Sequence, residues 1–293
     1  MYTSLDTLCK KAEQTKTPLW RLVLLDDMKE QNLSEKEVFA QTAAVWQAMK
    51  QSDENYDPNL TSKSGLVGTD AEKLHQRRLS GEMICGDFSA DVMEHALKIS
   101  ESNACMKRIV AAPTAGSCGV LPAVLLSSQK RWSIPDEKIV QALYTAGGIG
   151  GVIASRAFIS GAEGGCQAEI GSASAMAAGA LCDLRGGNAE DVAHAAALAL
   201  KNLLGLACDP VAGLVEIPCV KRNCLGALNA LSSADLALSG IRSRIPPDEV
   251  IDAMKSIGRR MDSGVRETGT GGLAATPTGE AIRDSLTPSS DRK

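Results

Sequence analysis

The amino-acid sequence predicts a mainly α fold, a single helical domain with Gly/Ala-rich central helices and cysteine-bearing loops. Along its 293 residues, apolar side chains recur at three- and four-residue steps, as one face of a helix requires, and strand signals are scarce. Between about residues 145 and 181 the chain is nearly all Gly, Ala and Ser. Because such small side chains let helix backbones approach closely, we expect this stretch to be central and buried.

The first predicted helix start lies at Ser34, within an N-terminal helical segment that covers residues 1–58. Ser34 followed by Glu37 is a capping-box pattern. Apolar and small side chains then recur at helical spacing, at Phe39, Thr42, Ala43, Trp46 and Met49. The segment ends near the Tyr-Asp-Pro sequence at 56–58, and we expect it to be loosely attached to the domain that follows.

Three further helix starts are marked by proline or asparagine. Helices are predicted just after Pro135 and from Pro247, each with acidic residues in its first turn. Asn188 is a predicted N-cap, and an apolar stripe runs from it to Gly205. The main domain is predicted to span residues 59–283, and the polar residues 284–293 to form a frayed tail.

Composition and charge argue against several classes of protein. The net charge is −4, basic residues are scattered, and aromatic residues make up 3% of the chain, which disfavours a nucleic-acid surface. Arg156, His194 and Lys201 interrupt the longest apolar runs, so none reaches the ~18 uninterrupted apolar residues of a membrane-spanning helix. The odd number of nine Cys and the lack of a secretion leader predict a reducing, cytoplasmic setting. A small-molecule site is therefore expected.

Two features that often indicate a site are rejected. The run GIGGVI at 148–153 begins like a dinucleotide-binding loop, but it lacks the third glycine and follows a predicted helix instead of a strand. The three histidines, His75, His95 and His194, lie far apart in the sequence. Each is interpreted as a solvated or capping histidine.

Three of the nine cysteines adjoin helix-breaking residues. Cys166 follows Gly-Gly, Cys208 precedes Asp-Pro, and Cys219 follows Pro218. Such loops bring thiolates to one point, where they would bind zinc or an iron–sulfur cluster, and spacing alone does not distinguish the two. The other six are interpreted as small buried side chains: Cys9, Cys85, Cys105, Cys118, Cys182 and Cys224. Of these, Cys118 and Cys224 are the fallback ligands.

Two Ser/Thr/Gly-rich loops are predicted to contact a ligand. Residues 112–119 (APTAGSCG) precede an apolar run that opens a helix, and a helix start presents free N–H groups to an anion such as a carboxylate. Residues 61–70 (TSKSGLVGTD) combine the same residue types ahead of a helix-like stretch. An ordinary Gly/Ser turn with a capping hydroxyl is the alternative for either loop.

Four motifs resemble the α chain of the bacterial iron–sulfur L-serine dehydratases. They are IVAAPTAGS at 109–117, SGAEGGCQAEIGS at 160–172, LACDPVAGLVEIPCVKRN at 206–223 and ETGTGGLAATPTG at 267–279. The similarity runs from about residue 60 to residue 280. It implies a largely helical catalytic domain over residues 59–283 that converts L-serine to pyruvate and ammonia without pyridoxal phosphate.

The resemblance also implies a cofactor and a partner. The cysteines that hold the family's [4Fe-4S] cluster carry over to Cys166, Cys208 and Cys219, each within its matching motif. Some members fuse a β domain ahead of the α domain, which this sequence lacks, so a separate β chain is implied. The implied role is amino-acid catabolism that supplies pyruvate, for example to gluconeogenesis.

The implied chemistry is a β-elimination in which an iron without a cysteine ligand acts as Lewis acid at the serine hydroxyl. We hypothesise that the two loops bind the substrate carboxylate and amine. The residues proposed for this role are Ser62, Ser64, Thr114, Gly116 and Ser117. No general base is assigned, and a histidine of the β chain, Lys63 and His75 are the candidates.

Two alternatives stay open. The runs SNACMK at 102–107 and Gly-Thr at 68–69 depart from the family pattern, so a related cluster enzyme that eliminates sulfide from L-cysteine is the first. The second is a non-catalytic zinc- or cluster-binding structural protein. A structural site of that kind is closed by four ligands, so it would need Cys118 or Cys224 as the fourth.

Overall fold

The computed structural model describes residues 2–287, which form α-helices joined by turns and by longer loops. In chain order the helices are α1 (Leu5–Thr15), α2 (Leu19–Gln31), α3 (Glu35–Glu54), α4 (Asp70–Leu79), α5 (Gly86–Ala104), α6 (Val120–Trp132), α7 (Asp136–Arg156), α8 (Gly161–Gly164), α9 (Ser172–Leu184), α10 (Ala189–Asn202), α11 (Cys219–Leu238), α12 (Pro247–Arg260) and α13 (Pro277–Leu286). Short 3-10 turns lie at Ala115–Ser117, Val211–Gly213, Ser263–Val265 and Gly272–Ala275, and a π-helical turn lies at Gln167–Gly171. Within the described residues β structure is limited to two isolated bridges, Thr61 with Gly68 and Cys208 with Arg266. The predicted mainly α fold is confirmed.

Two helices begin at the capping boxes that the sequence contains. At α3, the Glu37 N–H donates to the Ser34 hydroxyl, and the Ser34 N–H donates to the Glu37 carboxylate. Asn188 and Asp191 exchange the same two hydrogen bonds at α10. Each box satisfies two N–H groups that the first turn of a helix leaves without a partner.

The two helix starts predicted at prolines are also confirmed, because α7 begins directly after Pro135 and α12 begins at Pro247. The predicted end of α10 is three residues too late. The helix stops at Asn202, where the Leu203 N–H donates to the Leu200 carbonyl and tightens the last turn. Gly205 follows with a φ of 84° and reverses the chain direction.

Helix α9 forms the centre of the fold and is surrounded by α6, α7, α10 and α11. Every residue from Ser172 to Cys182 on it is buried. The helices approach so closely that a Cβ atom on Gly179 would lie 2.1 Å from Cδ1 of Ile149 on α7. The small residues of this stretch are therefore required by packing, as the sequence predicts.

The N-terminal helices pack into the same core as the rest of the chain. α1 lies on α10 and α12, α2 on α7, and α3 on α5 and α7. Leu8, Leu24 and Trp46, one from each helix, are almost completely buried in that core. Their apolar faces attach residues 2–58 firmly, in contrast to the loose attachment that the sequence suggested.

The C-terminal segment after α12 is mostly exposed but ordered into short turns and a final helix. The predicted frayed tail was to begin at residue 284, yet residues 284–286 form the last turn of α13, and the Thr287 N–H donates to the Arg283 carbonyl. Residues 288–293 of that predicted tail lie outside the described residues. Across residues 2–287, no helix combines the length and the apolar character that crossing a membrane requires.

A network of paired charges, called here the α5 network, lies between α5 and its neighbours α3, α4 and α6. Its members are Asp53, His75, Arg78, Asp91, Glu94, His95, Lys98 and Lys130. The His95 side chain is only 14% exposed, and its Nδ1 lies 2.7 Å from Oδ1 of Asp53. The interpretation of His95 as a solvated or capping histidine is wrong, because Asp53 and Asp91 from two helices hold its ring in ion pairs.

Candidate active site

Cys166, Cys208 and Cys219 come from three separate segments and are all buried. Cys166 follows α8, Cys208 lies in the loop between α10 and α11, and Cys219 is the first residue of α11. Burial raises the pKa of the Cys166 thiol to about 11 and that of Cys219 to about 12. Burial also raises the pKa of Cys208, and the charges of Glu169, Cys166 and Cys219 add to the effect. The three thiols are therefore close enough to influence one another's ionisation.

Gln167 fixes the Cys166 loop against the loop that leads to Cys208. Its backbone N–H donates to the Leu206 carbonyl at 3.1 Å, and its side-chain Oε1 accepts the Gly205 N–H at 2.8 Å. Gly165, with a φ of 74°, allows this contact, because a Cβ atom there would lie 2.9 Å from the Leu206 carbonyl oxygen. The Gly-Gly pair before Cys166 is thus a structural condition for bringing the loops together.

The π-helical turn at Gln167–Gly171 directs Glu169 toward the cysteines. Its carboxylate accepts the Thr114 hydroxyl at 2.8 Å and lies 3.8 Å from the Cys208 Sγ. Burial raises the pKa of Glu169, although the Thr114 hydrogen bond opposes the change. Turns of this type are frequent at functional sites because they re-aim a side chain within a helix. We refer to Cys166, Cys208, Cys219, Glu169 and Thr114 together as the cysteine site.

Thr114, Gly116 and Ser117, three of the predicted substrate-binding residues, lie beside Glu169. The hydroxyls of Thr114 and Ser117 are 3.1 Å apart, and a Cβ atom on Gly116 would lie 3.2 Å from Oε1 of Glu169. Asn223 on α11 holds this loop, since its Nδ2 donates to the Gly116 carbonyl and its Oδ1 accepts the Gly119 N–H. Their role in substrate binding stays a prediction.

The other two predicted residues, Ser62 and Ser64, bond instead to a different carboxylate. Both hydroxyls donate to Oε2 of Glu216, at 3.0 Å for Ser62 and 2.5 Å for Ser64. Glu216 is buried and precedes Cys219 by three residues on the turn into α11. No hydrogen bond within residues 2–287 joins Ser62 or Ser64 to the cysteine site. Their assignment likewise stays a prediction.

Arg222 and Asp209 brace the Cys208 loop from the α11 side. The Arg222 guanidinium donates to the Ala207 carbonyl and to Oδ1 of Asp209, at 2.6 and 2.9 Å. Asp209 also accepts the Leu273 N–H at 2.9 Å, so it links the loop to the C-terminal segment. A second link is the bridge between Cys208 and Arg266. The loop is thus held from both sides by charge and by backbone.

The fallback ligands point away from the cysteine site. The Sγ atoms of Cys118 and Cys224 contact the carbonyl oxygens of Ile99 and Met93, both on α5. In the described part of the chain, no three His, Cys, Asp or Glu side chains are placed to ligate a single metal ion. Of the candidate bases, His75 bonds to Glu94 in the α5 network, and Lys63 is exposed.

Sequence reasoning missed Glu169, Arg222 and Arg266. All three lie inside or at the edge of motifs that it singled out, and Glu169 is only three residues from Cys166. The available signal was a charged residue within a stretch of Gly, Ala and Cys. What the sequence does not reveal is the π-helical turn that aims Glu169 and the long-range bridge that places Arg266.

This chain is similar to a known family and to several of its members. The family described as serine dehydratase alpha chain matches residues 14–274. A probable L-serine dehydratase alpha chain of Bacillus subtilis is 44% identical over 286 residues, 98% of this chain and 95% of that protein. The L-serine dehydratase alpha chain of Peptoniphilus asaccharolyticus is 44% identical over 90% of this chain and 91% of its own length. The L-serine dehydratase TdcG of Escherichia coli is 39% identical over 82% of this chain, but the match covers only 55% of that protein.

Proposed function

Because the chain belongs to the serine dehydratase alpha chain family, we propose that it is an L-serine ammonia-lyase, a carbon–nitrogen lyase that converts L-serine to pyruvate and ammonia. The observation that carries the proposal is the extent of the match. Residues 14–274 include all three cysteines of the cysteine site, Glu169 and the 114–117 loop. The proposed role is amino-acid catabolism in the cytoplasm, where the pyruvate would be available for gluconeogenesis.

We further propose that Cys166, Cys208 and Cys219 hold a [4Fe-4S] cluster. Thiolates are the usual protein ligands of such clusters, and each binds a different iron atom, so the three sulfurs do not have to converge on a single point. Burial raises the pKa values of these thiols, so they are protonated in the absence of a cluster, and cluster binding would have to displace their protons. When bound, the cluster supplies a Lewis-acidic iron for the substrate hydroxyl, and pyridoxal phosphate is not required.

The chain's own residues would enclose and orient the substrate. Thr114 and Ser117 offer hydroxyls at the edge of the cysteine site, and Gly116 leaves room there because it has no side chain. Glu169 keeps a carboxyl group between the Thr114 hydroxyl and the Cys208 thiol. Ser117, Glu169 and Cys208 are buried, which excludes water and strengthens each electrostatic contact with a bound amino acid.

The proposal includes a separate β chain. The match covers about half of the longer Escherichia coli relative but nearly all of the two relatives named alpha chains. A second polypeptide would then supply what the longer relative carries in one chain. A histidine of that β chain stays a candidate for the general base, since the described residues offer no histidine at the cysteine site.

The experiment is anaerobic purification with the candidate β chain, followed by iron and sulfide analysis and electron paramagnetic resonance of the reduced protein. We expect about four iron and four sulfide per chain, as one cluster requires. We also expect L-serine to perturb the spectrum and to be converted to pyruvate. One zinc without iron would contradict the cluster and favour a structural site. Faster release of sulfide from L-cysteine than of pyruvate from L-serine would favour the desulfidase alternative.

A further inference from the structure

Arg266 lies next to Cys208 although 58 positions separate them in the sequence. The Cys208 N–H donates to the Val265 carbonyl at 2.8 Å, and the Glu267 N–H donates to the Cys208 carbonyl at 2.7 Å. These two bonds form a parallel bridge that pairs Cys208 with Arg266. In a parallel pairing, directly opposed residues project their side chains to the same face. The Arg266 side chain therefore leaves the backbone on the side of the Cys208 thiol.

The Arg266 guanidinium has no partner within the described residues. Its Nε is shielded from solvent and makes no hydrogen bond, and no carboxylate of residues 2–287 forms an ion pair with it. Arg222, on the other side of the same loop, donates to the Ala207 carbonyl and to Asp209 and also bonds to the Cys166 thiol. A shielded N–H of a charged group that lacks an acceptor is costly, and proteins rarely keep one without a ligand or another role.

We propose that Arg266 binds the α-carboxylate of the amino-acid substrate. This inference rests on the proposed function, because it takes the substrate to be a β-hydroxy α-amino acid. In such a molecule only two carbons separate the hydroxyl oxygen from the carboxyl carbon. A group that binds the carboxylate while the hydroxyl faces the cysteines must therefore lie beside a cysteine, as Arg266 does. The planar guanidinium matches a carboxylate with two parallel hydrogen bonds.

The surroundings of Arg266 favour a carboxylate over other anions. Two carboxyl groups lie near the Cys208 thiol, since the charges of Glu169 and Glu267 both raise its pKa. An arginine at the edge of the cysteine site gives a small zwitterion an anchor for its negative end while acidic groups surround its positive end. An arginine that only stabilised the fold would be paired, as Arg222 is with Asp209.

The test is a binding cycle in which the carboxylate is removed from the ligand and the guanidinium from the protein. Two inert ligands are titrated calorimetrically into the anaerobic, cluster-loaded complex: 3-hydroxypropanoate, which keeps the carboxylate, and 2-aminoethanol, which lacks it. We expect Arg266→Gln to weaken 3-hydroxypropanoate roughly 10- to 100-fold, the loss of one charged hydrogen-bonded contact, and to leave 2-aminoethanol within about twofold. Arg266→Lys should recover part of the loss, because a lysine keeps the charge without the two-point contact.

The controls separate this assignment from folding and from the proposed function. Iron content and the melting temperature of Arg266→Gln should match those of the wild type, whereas Arg222→Gln should lower iron content and weaken both ligands alike. Equal weakening of the two ligands by Arg266→Gln, or no effect on either, would overturn the assignment while wild-type turnover of L-serine stands. A wild-type complex that forms no pyruvate from L-serine would overturn the proposed function and this assignment with it.

Discussion

Two polar regions are buried in this helical protein, the α5 network and the cysteine site, and they differ in how completely their charges are paired. In the α5 network, Asp91 accepts from Arg78 and Lys130 and lies 3.5 Å from Nε2 of His95. In the cysteine site, the hydrogen-bond partners of Glu169 among the described residues are a hydroxyl and a thiol, and Nε of Arg266 at the edge of the site has no acceptor among them. Asp91 and Glu94 of the α5 network are buried, as are the three cysteines of the cysteine site, so burial alone does not distinguish the two regions.

The difference indicates what each region is for. Burying a charge is costly unless it is paired, so a network that is already complete stabilises the arrangement of its helices and has no capacity left for a ligand. A region whose hydrogen-bond donors and acceptors lack partners in the protein is expected to bind a ligand that supplies those partners. Four sets of experiments would break or sharpen this contrast, and they follow from the largest expected effect to the smallest.

Replacing a cysteine of the cysteine site should have the largest effect. We expect Cys208→Ser to lower kcat/KM for L-serine by at least about 10²- to 10³-fold, the magnitude seen when one electrostatic stabiliser of a transition state is lost. Iron content should fall with it. Cys224→Ser is the matched control, because its Sγ contacts the Met93 carbonyl on α5 instead. Full iron content in Cys208→Ser, or an equal loss of iron in Cys224→Ser, would show that Cys208 matters no more for iron binding than Cys224.

Removing Asp91 tests the opposite region. Asp91→Ala leaves Arg78, His95 and Lys130 without their shared carboxylate, and we expect it to lower the free energy of unfolding by about 3–5 kcal/mol. The control is Asp252→Ala, which breaks a surface pair with Arg156 and should cost about 0–1 kcal/mol. Urea unfolding measures both. Similar losses in the two variants would show that the α5 network is not a stabilising unit.

The pH dependence of the free energy of unfolding should report the ionisation of His95. Burial lowers the pKa of His95, but the hydrogen bonds and charges of Asp53 and Asp91 outweigh it and raise the pKa to about 9. Since the unfolded value is about 6.5, His95 stabilises the fold fully below that pH, and its contribution of about 3 kcal/mol is lost as pH rises through about 9. We expect the difference in unfolding free energy between wild type and His95→Gln to shrink from pH 6 to pH 10. A difference that is constant with pH would contradict this pKa.

Two glycine substitutions compare an open position on α7 with a crowded position beside the cysteine site. The first of them should give the smallest change in stability. Gly147 on α7 has no heavy atom within 4 Å of an added Cβ, so Gly147→Ala should stabilise the protein by about 0.5–1 kcal/mol. At Gly161 the added Cβ would lie 2.8 Å from the Cys208 Sγ and 2.9 Å from Oε2 of Glu169. Gly161→Ala should therefore lower iron content, as metal analysis would measure. Normal iron content in that variant would mean that the geometry of the cysteine site is not restrictive.

The sequence predicted much of the helical framework because its signals are local. The capping residues at Ser34 and Asn188 lie within one turn of the helices they begin, and the small residues of α9 form one continuous stretch. His95 was misinterpreted for the opposite reason. Its partner Asp53 belongs to another helix, 42 positions away, and no periodicity along α5 indicates that pairing.

The cysteine site was predictable only in part. Helix-breaking neighbours and motif resemblance singled out Cys166, Cys208 and Cys219, and the 114–117 loop was expected to lie near a ligand. The carboxylates that face the predicted hydroxyls, Glu169 and Glu216, were not expected. Each reaches its partner across more than 50 positions, through packing that depends on the whole fold.

The bridge between Cys208 and Arg266 also sets an order of events during synthesis of the chain. The residues that hold the Cys208 backbone, Val265 and Glu267, are made only after α11 and α12. Until they emerge from the ribosome, the Cys208 loop lacks two of the hydrogen bonds that fix its position. If the proposed cluster is assembled on this chain, the Cys208 loop would be adaptable while the chain is being made and fixed only after the residues that follow α12 are in place.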